Sequence, residues 1–203
     1  MRYQDKGYCL IAITDHADYS NIKQVAKSIV EFTQRWPKNS NIKVLPGVEL
    51  THLPPEQFKP MAALARKAGI KIIIAHGETP VEPVAKNTNH FALLADIDIL
   101  AHPGLISDED TQLAKKRGIF LEITSRKGHQ QTNAHVIKQA RKFGAKLILN
   151  HDSHTPEDII TPAELRQVGL DFGLTQDEID KIYTDVKVLL TKKACLPAGR
   201  EGR

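Results

Sequence analysis

Six short apolar runs, none longer than six residues, recur along this chain with helical patterns between them. They are Cys9–Thr14, Lys43–Val48, Lys71–Ala75, Ile97–Ala101, Ile119–Ile123 and Lys146–Asn150. Several lack polar alternation, as strands do when a parallel sheet is covered on both faces. Pro46, inside the second run, has no N–H to give a ladder and is expected to bound a shorter strand. Between the runs, Ile22, Val25, Ala26, Ile29 and Trp36 share one helical face, and Val136, Ile137, Ala140 and Phe143 share another ahead of Gly144. Leu64 and Ala65 precede Gly69, a C-terminal cap. Thr161-Pro162-Ala163-Glu164 combines an N-cap, a proline at the first helical position and a capping-box glutamate. Thr175 with Glu178 opens the last helix, whose stripe is Ile179, Ile182, Tyr183, Val186 and Leu189. Six strands alternating with helices demand right-handed crossovers, hence a doubly wound sheet or a barrel. The chain has neither a Gly-x-Gly-x-x-Gly turn nor a Walker lysine loop, so the common nucleotide-binding folds lose support.

Composition narrows the class further. The 203 residues suit one domain, expected over 1–193, with an unstructured tail over 194–203. No apolar run approaches the roughly 20 residues that span a bilayer, and residues 1–8 do not read as a signal peptide. A cytoplasmic protein without membrane contact is the expectation. The net charge of +4 invites a nucleic-acid reading, yet Lys192, Lys193, Arg200 and Arg203 against Glu201 place +3 of it at the end. A phosphate-backbone binder needs basic residues clustered on the fold, so nucleic acid is not an expected partner. Of two cysteines, Cys9 reads as a small buried core residue and Cys195 lies in the tail; they make no thiolate metal site.

Chemistry collects at the ends of the runs. The first ends in Thr14-Asp15-His16, the second in Gly47-Val48-Glu49, the third in Ala75-His76-Gly77-Glu78. The fourth ends in Ala101-His102-Pro103-Gly104 and the sixth in Asn150-His151-Asp152-Ser153-His154. In a parallel α/β fold these ends share one rim, where active sites are built. A lone histidine at a strand end is commonly hydrogen-bonded structure; four at equivalent positions (16, 76, 102 and 154) point to metal ligation. Imidazole and carboxylate without thiolate suit Zn²⁺, Mn²⁺ or Fe²⁺. His52 reads as a loop residue, His90 and His135 as surface residues on helices, and His151 as a neighbour of the cluster. Glu122 alternates within the fifth strand and is expected to point inward. Arg126 and Lys127, after that strand, are candidates for gripping an anion, against the alternative of a solvated loop.

As a set, ITDH at 13–16, PGVE at 46–49, AHGE at 75–78, AHPG at 101–104 and DSH at 152–154 resemble the PHP family of polymerase and histidinol phosphatase domains, on its histidinol phosphatase-like branch. The resemblance implies an irregular seven-stranded βα barrel holding up to three divalent ions. It makes His16, Glu49, His76, His102, Asp152 and His154 the metal ligands, with Glu49 bridging two ions. Asp15 resembles a partner that orients a ligand, and Asp15 and Asp152 are the expected catalytic carboxylates. The family opens with a strand bearing His-x-His; this sequence has no histidine before His16 and resembles a barrel lacking that first βα unit, with about six parallel strands. Glu49, His76 and His102 would then form the complete ligand set.

The function implied is hydrolysis of a small phosphate monoester, such as a histidinol phosphate-like compound, by metal-activated hydroxide, at reduced activity in a chain lacking the first unit. A non-catalytic PHP scaffold module and a metal-dependent amidohydrolase are the alternatives. An open strand margin at Leu10–Thr14 would invite self-association.

Overall fold

A computed structural model describes residues 2–194. Of the expected tail, Ala194 ends the last helix, and 195–203 lie outside the described residues. Strands β1 (Leu10–Ile13), β2 (His16–Ala17), β3 (Lys43–Leu50), β4 (Ile72–His76), β5 (Ile99–Ala101), β6 (Phe120–Thr124) and β7 (Lys146–Asn150) are all parallel. The order is β1-β3-β4-β5-β6-β7, and β2 also lies against β3. Leu10 faces Lys43 and His16 faces Glu49, the same offset, so β1 and β2 are one strand interrupted at Thr14-Asp15 with its register kept. The sheet thus has six parallel tracks and curls into a half-barrel.

Helices α1 (Arg2–Asp5), α2 (Ile22–Arg35), α3 (Phe58–Lys67), α4 (Thr88–Leu94), α5 (Asp108–Arg117), α6 (Asn133–Phe143), α7 (Pro162–Asp171) and α8 (Gln176–Ala194) complete the chain. Capping follows the sequence chemistry. Thr161 and Glu164 form a reciprocal capping box on α7, and Gly144 closes α6 at φ 72°, where a Cβ would be strained.

Strand alternation divides the apolar residues into two clusters. Val48, Leu50, Ile73, Ala75, Leu121, Ile123, Leu147 and Leu149 face the helix layer and pack with Phe58, Leu93 and Ile137. Leu45, Ile72, Ile74, Ile99, Phe120 and Ile148 face the concave side and pack with Leu189 and Leu190 of α8. The last helix thereby covers the floor of the half-barrel. Asp98, at the entry to β5, ties that floor together. It meets Arg66 Nη2 at 2.7 Å and Lys193 Nζ at 2.6 Å, and accepts the Ile73 N–H at 2.8 Å.

Two expectations are corrected. Pro46 does not shorten its strand, since β3 runs through it to Leu50. Pairing with β4 begins one residue later, at Gly47 opposite Ile72, so the missing N–H interrupts no ladder there. Cys9 is exposed rather than buried, because the strand starts only at Leu10. No helix among the described residues is long and apolar enough to cross a membrane.

Candidate metal centre

Along each strand, every second side chain on the concave face belongs to one vertical file. In β4 the file reads Ile72, Ile74, His76, and in β6 it reads Phe120, Glu122, Thr124. The lower members build the apolar floor, and the upper ones bring polar groups to the rim.

Glu49, His76 and His102 meet there, with one ligand-type atom of each within 4.8 Å of the others. All three are buried, and Glu49 Oε1, His76 Nε2 and His102 Nε2 have no hydrogen-bond partner. Buried polar atoms are ordinarily satisfied, so three orphans converging on one point require an explanation. The oxygen and nitrogen donor set fits a divalent cation. Each imidazole is also held from behind: His76 Nδ1 lies 3.0 Å from Gly77 O, and His102 Nδ1 lies 2.9 Å from Glu122 Oε2. Such backing fixes the tautomer and leaves Nε2 for the ion.

The backbone at these strand ends is specialised. His102 has φ 30°, Asp152 φ 46° and His52 φ 50°, sparsely populated values for residues with a Cβ and typical of functional sites. A Cβ on Gly77 would come within 2.4 Å of Ala101 O, and one on Gly104 within 2.0 Å of Glu78 O. The glycines of AHGE and AHPG therefore let the two histidine-bearing turns pack against each other.

Electrostatics are set by burial. Burial pushes the Glu49 carboxyl up to about 8 and takes the His76 imidazole down to about 4. At His102 burial works downward, but the hydrogen bond and charge of Glu122 outweigh it and raise the imidazole to about 9. Burial, with the charge of Glu122, lifts Asp152 to about 6.

The other anticipated residues are placed unequally. His16 is half-exposed, with Nε2 3.8 Å from Glu49 Oε2 and its ring 5.5 Å from that of His154. Arg126 Nη1 lies 2.7 Å from His154 Nδ1 and donates to Asp152 O at 2.9 Å. Arg126 thus braces the Asp152–His154 loop, while Lys127 is exposed on the same rim. The Asp15 carboxylate is exposed; what Asp15 gives the site is its carbonyl, which accepts the Glu49 N–H at 3.0 Å. His151 faces away from the cluster to Tyr3 and Tyr8, both at 5.4 Å, and the Tyr3 hydroxyl hydrogen-bonds Ser153. His90 and His135 lie off the site, bonded to Asp110 and to Ile106 O.

Three residues at the site were not anticipated. His129 is buried, its ring 4.4 Å from that of His102 and its Nδ1 2.9 Å from Thr79 Oγ1. Burial takes its imidazole down to about 4. His52 Nε2 and His129 Nε2 both face Glu82, at 3.6 and 3.8 Å. None of the three ends a strand; the one sequence signal was the count of histidines that strand ends left unused.

No model of a known protein family matches the chain. An uncharacterized protein of Methanocaldococcus jannaschii is 46% identical over 175 residues, covering 84% of this chain and 79% of the relative. A protein of Thermoanaerobacter sp. named a probable phosphatase is 25% identical over 208 residues, covering 89% and 80%. The DNA polymerase/3'-5' exonuclease PolX of Bacillus subtilis is 26% identical over 174 residues, 75% of this chain but 30% of that protein. Among solved structures, a chain in the cryo-EM structure of archaeal ribonuclease P with mature tRNA superposes with a TM-score of 0.70 at 17% identity. It covers 98% of this chain and 88% of that one, a likeness of fold.

Proposed function

The chain belongs to one family with the Methanocaldococcus jannaschii protein, in a PHP-like group with distant relatives named probable phosphatases, and from this we propose that it is a metal-dependent phosphoesterase acting on a small phosphate monoester. The observation that carries the reading is the convergence of three buried, unpartnered ligand atoms from Glu49, His76 and His102.

A divalent ion held by these residues supplies Lewis-acid charge for the phosphoryl oxygens and a water of lowered pKa. The chain's own groups supply the rest. Glu122 and the Gly77 carbonyl hold His102 and His76 in one tautomer. Asp152, partly buried on the same rim with Arg126 Nε 3.4 Å from its Oδ2, is the candidate catalytic carboxylate. Lys127 and the free edge of Arg126 offer cationic donors to a phosphate on the same rim. His16 and His154, side by side, are candidates for a further ion, with Asp152. A compact ester of the histidinol phosphate kind suits a rim of this chemistry.

The experiment compares p-nitrophenyl phosphate with a chromogenic amide, using protein loaded with Mn²⁺ or Zn²⁺. Phosphate release that disappears with chelator and in His102→Ala is the expected outcome. Amide cleavage without phosphate release would move the site to amidohydrolase chemistry. Full metal loading with neither reaction would leave a scaffold.

A further inference from the structure

The two margins of the curled sheet are β1 with β2 on one side and β7 on the other, and no strand bridges them. His16 belongs to the first margin, and the loop carrying Asp152 and His154 follows the second. Their imidazoles nevertheless stand 5.5 Å apart, so these residues meet only because the margins are held toward each other at the rim. Asp158 Oδ2 accepts the His154 N–H at 2.8 Å, but Asp158 is four residues further along the same loop. That bond fixes the loop's own shape and not its place on the half-barrel.

Two contacts from elsewhere set that place. From β6 comes Arg126, whose Nη1 donates to Asp152 O at 2.9 Å. From the first margin comes the segment ahead of β1. The Tyr3 hydroxyl hydrogen-bonds Ser153 Oγ, the residue between Asp152 and His154, across 150 positions of sequence. His151, which joins β7 to the loop, sits between two phenol rings. Tyr3 lies tilted at 30° and Tyr8 edge-on at 85°, both centroids 5.4 Å from the imidazole. Asp152 itself has φ 46°, which a residue with a Cβ keeps only where its surroundings impose it. Gripped at 151 by rings and at 153 by a hydroxyl, the backbone at 152 is held in that state from both sides.

We propose that Tyr3 is a positioning residue: its hydroxyl on Ser153 and its ring on His151 fix the Asp152–His154 loop of one margin against His16 of the other, and so assemble the second ion site. The inference rests on the further ion proposed above for His16, His154 and Asp152. Tyr3 acts through Ser153 and His151 and not on the ion, so its effect belongs to that site and not to the centre of Glu49, His76 and His102.

Manganese(II) alone is the probe, titrated into the wild-type chain, Tyr3→Phe, Ser153→Ala, their double variant, His154→Ala and His102→Ala. Electron paramagnetic resonance reads both the free ion and the spin coupling between bound ions. Wild type is expected to bind two coupled ions, of which His102→Ala loses the first and His154→Ala the second. Tyr3→Phe and Ser153→Ala should each weaken the second ion about tenfold and leave the first within a factor of about two. The double variant should bind no more weakly than either single one, because both remove the same hydrogen bond. Tyr3→Phe keeps the ring against His151, so its metal-free melting curve should nearly coincide with that of wild type. Unchanged affinity for the second ion in Tyr3→Phe would overturn the proposal and make the contact one of packing alone. Equal weakening of both ions would overturn it in favour of a general support of the rim. A wild type that holds one ion, or a second ion indifferent to His154→Ala, would overturn the further ion itself and the positioning role with it.

Discussion

Glu122 Oε2 receives two hydrogen bonds from the single residue His102, one from its backbone N–H at 2.8 Å and one from ring Nδ1 at 2.9 Å. The other oxygen, Oε1, accepts from Asn150 Nδ2 at 3.1 Å, which ties β6 to β7 under the site. A buried carboxylate with both oxygens engaged fixes the imidazole and makes it a stronger donor toward an ion. It also supports the strained φ of His102, since the same oxygen holds both ends of that residue.

Replacing Glu122 by glutamine keeps the shape and removes the charge. Metal affinity, measured by competition with a chromogenic chelator, should fall about 10–100-fold. An unaltered dissociation constant would mean that Glu122 only satisfies the turn and does not tune the ligand.

The pH dependence of the metal-free protein follows from Glu49 and His102. Glu49 is raised from an ordinary 4.5 to about 8, and His102 from 6.5 to about 9. Each is protonated in the fold at pH values where the unfolded chain has already released the proton. The unfolded state then binds fewer protons, so stability falls as pH rises. The Glu49 contribution is complete below 4.5 and lost through about 8; that of His102 is complete below 6.5 and lost through about 9. Asp152 and His76 change charge mainly below that range. Scanning calorimetry in the presence of chelator should therefore show the melting temperature dropping between about pH 7 and 9. With Mn²⁺ or Zn²⁺ in excess the drop should shrink or vanish, because the ion takes the place of the protons and binds more tightly as pH rises. A metal-free melting temperature that climbs over this range would contradict the electrostatic description.

Asp98 allows the floor to be perturbed apart from the rim. Asp98→Ala removes a nearly buried carboxylate from Arg66 and Lys193 and leaves the Ile73 N–H without its acceptor. Urea unfolding should report a loss of about 2–4 kcal/mol, while the affinity of the folded protein for metal stays within a factor of two or so of wild type. A large drop in affinity would reveal coupling between the two ends of the half-barrel that their separation does not suggest.

The strands were readable because burial on both faces leaves an unbroken apolar run, as in Lys146–Asn150, which coincides with β7. Glu49, His76 and His102 were readable for a related reason: each stands at or just past the end of such a run, and parallel strands carry their ends to one rim. Residues whose position depends on the path of a loop were not. Glu82 and His129 reach the site through irregular segments with no period to follow, the latter after Gly128 turns the chain at φ 96°. His52 is the exposed loop residue that its place before Pro54-Pro55 suggests; what the sequence did not show is that its ring stacks on that of His76, with centroids 6.1 Å apart. Asp15 adds a contact that sequence could not show: at the break in the strand its carbonyl accepts the Glu49 N–H, while the side chain is exposed.

The alternation that sorts floor from helix layer has a consequence for how such a chain tolerates insertions and deletions. His76 faces the centre because it stands an even number of residues from Ile72 and Ile74. Deleting one residue between Ile72 and Ala75 while the register with β3 is kept would exchange the two faces of everything beyond it. The imidazole would be driven into the helix layer, and Gly77, with no side chain to offer an ion, would arrive in its place. Length changes in the strands are thus restricted to parity-preserving ones, and drift in length is channelled into the loops. One of those loops carries Glu82, between Pro80 and Pro83.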